Sequence, residues 1–214
     1  MFKRELFIIV FVFTSSLVFT QNGSAITIIG GKLRSNFNYT DATGQKLKNL
    51  ETVTKNCFGL NYSLIRNKSI YRSELLYRQA GSSYNNDVNV RWDMNYLDLG
   101  LDYLYMVLRS KDTSNQFYLS PGIGFSYGHL LSGFQYIDNE KYSLIETGAF
   151  SRNDFMFRGI IQAKFNLGKS FYLLCEYRFS SSLKQIEKIN IGESTKNIYQ
   201  GFLIGLGINL NKEG

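Results

Sequence analysis

Apolar and polar residues alternate with a period of two in one segment after another of this chain. That period marks a β-strand whose two faces meet different surroundings. In the stretch FYLLCEYRF, 171–179, Phe171, Leu173, Cys175, Tyr177 and Phe179 alternate with Tyr172, Leu174, Glu176 and Arg178. Seven further segments read the same way: 29–37, 57–64, 71–78, 97–105, 117–128, 154–167 and 201–210. Upstream of 97–105, Trp92, Met94 and Tyr96 lie on the opposite parity, which predicts a β-bulge near Tyr96. The expected class is all-β: an eight-stranded antiparallel up-and-down transmembrane β-barrel, each strand long enough to cross a bilayer at a tilt.

The connections between these segments alternate in length. Those at 39–56, 80–90, 133–153 and 181–199 are long, and those at 66–69, 109–116 and 168–170 are shorter. A soluble meander has no reason to keep every second connection long. An outer-membrane barrel does, with short periplasmic turns and long extracellular loops. Both termini are then expected in the periplasm.

The two faces can be assigned from chemistry. One is rich in Phe, Leu, Ile and Tyr. The other carries glycines in 117–128 and 201–210 and, elsewhere, Lys32, Arg34, Arg72, Arg78, Arg158, Lys164 and Arg178 with Glu74, Asp98, Asp102, Asp154 and Glu176. Glycine weakens an exposed strand but suits a narrow lumen. Near-balance of sign suits a buried ion-pair network, because an unpaired buried charge is costly. The charged face is expected inside and the apolar face against lipid. In this phase Cys57 points to the lumen and Cys175 to lipid, so the two are expected as free thiols. Trp92, Tyr105 and Phe179, near strand ends, read as an interfacial aromatic girdle.

Composition agrees with strands. The 214 residues include 15 Tyr, 17 Phe and 19 Gly but one Pro. The net charge of +7 is spread along the chain rather than gathered in a stripe, which argues against nucleic-acid binding. Lys3 and Arg4 precede an apolar run to Thr20, then small and polar residues: a signal-peptide layout at 1–20, with cleavage after Thr20 or after Ala25. A retained anchor is the alternative. The domain reading is a signal peptide followed by one barrel domain, 21–214.

Three motifs carry a resemblance. Tyr96-Leu97-Asp98-Leu99-Gly100-Leu101 followed by Tyr103 and Tyr105, Phe117-Tyr118-Leu119-Ser120-Pro121-Gly122-Ile123-Gly124, and Glu176-Tyr177-Arg178-Phe179 resemble strands four, five and seven of PorT-like outer-membrane β-barrel proteins of the Bacteroidota. Gly100 stands where that group has a Pro, and the chain ends in Leu210-Asn211-Lys212-Glu213-Gly214 without a terminal aromatic residue. The resemblance implies a small outer-membrane barrel; one branch of the group is linked to secretion of proteins to the cell surface.

Catalytic chemistry finds little to build on. His129 is the sole histidine and shares its parity with Tyr127 and Leu131, with no Ser placed beside it. One His and two distant Cys do not make a zinc site. Gly122, Gly124 and Gly128 read as strand glycines rather than a phosphate loop. The expectation is therefore no catalytic, cofactor-binding or metal residues, no enzyme activity and no cofactor. The expected function is that of a non-porin surface binding or secretion-accessory protein, with outer-membrane lipid and a secretion or cell-surface protein as partners. Contacts would come from 133–153 and 181–199, where Phe134, Tyr136, Ile137, Tyr142, Ile186, Ile189 and Ile191 sit among Lys184, Glu187, Lys188 and Glu193. The alternatives are a lipid-modifying outer-membrane enzyme and a soluble lipocalin-like carrier of an apolar ligand.

Overall fold

The computed structural model of the chain describes residues 23–41, 43–46, 49–85, 89–110, 116–138, 140–148, 150–168, 170–187 and 194–210. The expected signal peptide lies outside them. The strands are β1 (Gly23–Thr40), β2 (Leu50–Glu51), β3 (Val53–Arg66), β4 (Ser69–Asn85), β5 (Asn89–Tyr105), β6 (Leu108–Arg109), β7 (Phe117–Ile137), β8 (Glu140–Ser143), β9 (Asn153–Leu167), β10 (Phe171–Ser182) and β11 (Ser194–Asn209).

The expectation of an eight-stranded barrel is corrected here. The described strands form one antiparallel sheet of eleven, in the order β2-β4-β3-β1-β11-β10-β9-β7-β5, with β6 and β8 paired to β7. The three strands that periodicity did not show, β2, β6 and β8, have two to four residues each. That is too short to display alternation. β4 also pairs with β5, from Ser69↔Tyr105 to Asn85↔Asn89. The sheet therefore curls, and its enclosed face brings together residues of strands that are not neighbours.

Local chemistry explains the short turns. Arg66 pairs with Ser69 across Asn67 and Lys68, and Asn67 has φ 55°. A two-residue hairpin loop needs positive φ, which Asn tolerates. Gly168, at φ 80°, does the same between β9 and β10. At this end of the sheet the start of β1 and the end of β11 also meet, since Leu210 N donates to Ser24 O at 2.8 Å.

Three face assignments change. On β1, Ala25, Ile29, Leu33 and Phe37 are buried, whereas Lys32 and Arg34 are exposed. This inverts the expected phase. The strand carries apolar residues on both faces, with Ile26 and Ile28 exposed, so its period shows a strand without saying which side is in. Packing decides: Ile29 and Leu33 join Leu76, Leu174, Tyr199 and Leu203 in an enclosed apolar cluster. Near Tyr96 the register does shift, Asn95 pairing with Ser132 and Tyr96 with Leu130. The extra residue is Leu131 on β7, so β5 keeps its phase, and Met94 and Tyr96 are buried on the same face as Asp98 and Asp102. Trp92 leaves the expected girdle: it packs edge-on against Phe37 at 5.5 Å, beside an enclosed cluster.

The long connections are partly strand. β4 and β5 continue pairing through most of 80–90. β7 runs to Ile137 and folds back as β8, pairing Phe134↔Ser143.

Candidate functional site

Among the described residues, the enclosed face holds ten buried charged side chains: Arg72, Arg78, Arg158, Lys164 and Arg178 against Glu74, Asp98, Asp102, Asp154 and Glu176. All ten were expected inside. Alternation aims Arg72, Glu74 and Arg78 of β4 the same way, and it does the same for Glu176 and Arg178 of β10. Curling then brings β4, β5, β9 and β10 within reach of one another.

The main network is continuous. Arg178 donates to Glu74 Oε1 and Oε2, each at 2.7 Å, and to Glu176 Oε1 at 2.6 Å. Arg158 donates to Glu74 Oε1 and Asp102 Oδ1, both at 2.5 Å. Arg72 reaches Asp102 Oδ2 at 2.8 Å, Gln162 Oε1 at 3.1 Å, and Glu176. Every carboxylate here meets at least two guanidinium groups. That arrangement offsets the desolvation cost that makes an isolated buried pair a weak stabiliser. Room comes from glycine: a Cβ at Gly100 would collide with the Arg158 guanidinium.

A second group lies nearer the long connections. Arg78 binds Asp98 Oδ2 at 2.7 Å and stands 3.6 Å from Asp154 Oδ2. Its guanidinium stacks over the rings of Tyr96 and Tyr199, 4.4 and 4.8 Å from their centroids. Asp154 also accepts from Ser182 Oγ at 2.7 Å and Asn197 Nδ2 at 2.8 Å.

Beyond it the enclosed face turns apolar. Phe37, Ala80, Met94, Tyr96 and Leu130 from the strands meet Leu144, Phe150 and Ile186 from the connections. Backbone bonds tie these connections down: Leu144 N donates to Gly133 O at 2.9 Å, and Ile186 N to Thr195 O at 2.8 Å. This mouth was not read as a cluster from the sequence: Leu144 and Phe150 were not singled out, and Ile186, expected as a contact residue, is buried. Its signal was present: bulky apolar residues spaced singly in polar segments that close back on a strand end. Of the other loop residues singled out, Tyr142 is exposed and Phe134 sits under the Lys141 ammonium at 3.7 Å. Lys188, Ile189, Ile191 and Glu193 lie outside the described residues.

The outer face is apolar over its middle. Leu60, Leu75, Leu99, Phe125, Ile161 and Leu206, from six strands, all stand exposed. Aromatic pairs cross strands on this face, among them Tyr71–Tyr103 at 5.5 Å and Phe117–Phe165 at 4.9 Å. Tyr105 and Phe179, the two remaining girdle residues, are exposed at opposite ends of it. His129 lies 3.3 Å from Asn153 Oδ1, which also accepts from Tyr127 Oη at 2.7 Å. Cys57 is buried, Cys175 is half-buried on the other face, and both are free thiols.

No protein-family model matches the chain, and no curated protein matches it. Solved structures do resemble it. The outer membrane protein OprG from Pseudomonas aeruginosa is 14% identical, with 89% of this chain and 97% of that one covered and a TM-score of 0.54. The outer membrane protease OmpT from Escherichia coli is 10% identical over 90% and 98% of the two chains, at a TM-score of 0.48. The attachment invasion locus protein Ail of Yersinia pestis is 12% identical over 88% and 99%, at 0.43. At these identities the likeness is one of fold, and the OprG match carries it: the chain has the architecture of an outer-membrane β-barrel protein.

Proposed function

We propose that this chain is a non-porin protein of the outer membrane that works through its long connections, as a surface binding or secretion-accessory protein. One observation carries the reading: the molecule is apolar outside and ion-paired inside, the reverse of a soluble protein. Exposed apolar area on this scale needs a lipid solvent, and backbone satisfied strand to strand suits it. The long strands exceed what an apolar band about 25 Å tall requires. The surplus lies toward the long connections, as for a molecule that projects to one side. β1 starts and β11 ends at the short-turn end, and on this reading both termini lie in the periplasm. The interior speaks against a carrier of an apolar ligand, because guanidinium and carboxylate groups occupy the middle of the enclosed face. The reading is non-enzymatic. The resemblance of 96–105, 117–124 and 176–179 to PorT-like strands supports the secretion branch.

The test replaces 138–150 or 183–193 by a short Gly/Ser turn and scores surface display of secreted proteins together with heat-modifiable migration. Loss of display with migration retained is expected. Full display from both replacements would contradict a loop-borne function.

A further inference from the structure

The inverted phase of β1 leaves two cations on the outer face, Lys32 and Arg34, both exposed. As alternate residues of one strand they stand about 7 Å apart on the same side. Neither forms an ion pair among the described residues. They mark a boundary. Toward the short turns, β1 exposes Ile26 and Ile28, and its neighbours expose Phe58 and Ile204. At the level of the cations polar partners enter: Lys32 lies between Asn56 and the exposed Phe202, and Arg34 between Thr54 and Gln200. Gln200 accepts from Tyr177 Oη at 3.0 Å, placing a tyrosine hydroxyl at the same level. No carboxylate occupies an outward position on β1, β3 or β11 between the levels of Gly30 and Asn36.

Resting on the membrane reading above, we propose that Lys32 and Arg34 hold the phosphate of a lipid headgroup in the leaflet on the long-connection side. A charge facing lipid is costly at mid-membrane and tolerated at the interface. Long basic side chains reach from an apolar wall to headgroups. Arg binds phosphate oxygens in a fork and Lys as a point charge. The flanking amides and hydroxyl of Asn56, Gln200 and Thr54 can bond to the remaining headgroup oxygens. Charge complementarity selects an anionic, phosphate-bearing lipid.

The test is native mass spectrometry of the full mature chain released from phosphatidylcholine nanodiscs doped with lipid A or with dephosphorylated lipid A. Wild type should retain lipid A and not the dephosphorylated form. The double variant Lys32→Gln/Arg34→Gln should retain it about thirtyfold less, from about 1 kcal/mol for each basic residue near the surface. The charge-preserving swap Lys32→Arg/Arg34→Lys should bind as wild type does. Equal retention by the Gln variant, or indifference to the phosphate, would overturn the site while the protein still enters the nanodisc. Failure of the wild type to enter the nanodisc would overturn this proposal and the membrane reading together.

Discussion

Glu74 accepts bonds from both Arg158 and Arg178, and the Asn61 amide, turned over, can donate to it as well. Replacing its carboxylate leaves two buried guanidinium groups short of a partner. Glu74→Gln is expected to lower unfolding stability in detergent by about 3–5 kcal/mol, the usual cost of breaking a buried pair from one side. Guanidinium unfolding followed by tryptophan fluorescence checks it, and a change under about 1 kcal/mol would mean that the network is not load-sharing. These charged residues were legible in the sequence because each sits in an alternating run with an apolar opposite face. Lys32 and Arg34 were misplaced for the matching reason: β1 is apolar on both faces, so counting charges could not orient it. Only the enclosed packing of Ile29 and Leu33 does that.

β1 offers a sharp test at the level of elements. In a background without Cys57 and Cys175, Lys32→Cys should react quickly with a water-soluble maleimide in intact detergent complexes. Leu33→Cys, fully buried in the structure, should stay unlabelled until the protein is unfolded. Reversed labelling would restore the phase read from the sequence. Long strands were legible because eight or more alternating residues give a clear period. β2, β6 and β8 were not, because short strands are set by their partners. The outer ends of β4 and β7 were read as connections. On β7 the inward parity passes from Leu130 to Gly133, both buried, because the bulge at Leu131 breaks the period where pairing continues. The apolar mouth of Leu144, Phe150 and Ile186 arises only when separate connections fold over one strand end.

At the scale of the molecule, an apolar outer face surrounds an ion-paired interior that opens at an apolar mouth. Such an interior should not pass a steady current. In planar bilayers the purified protein is expected to show no stable porin-scale conductance, and a steady large conductance would mean that the arginine and carboxylate network does not fill the enclosed side of the sheet. Residence in the outer membrane is read out by fractionation of cells with electrophoresis of boiled and unboiled samples. Recovery in the outer-membrane fraction and a shift in migration on boiling are expected, because a sheet paired strand to strand resists detergent until heated. Recovery in the soluble periplasmic fraction, with identical migration before and after boiling, would contradict it.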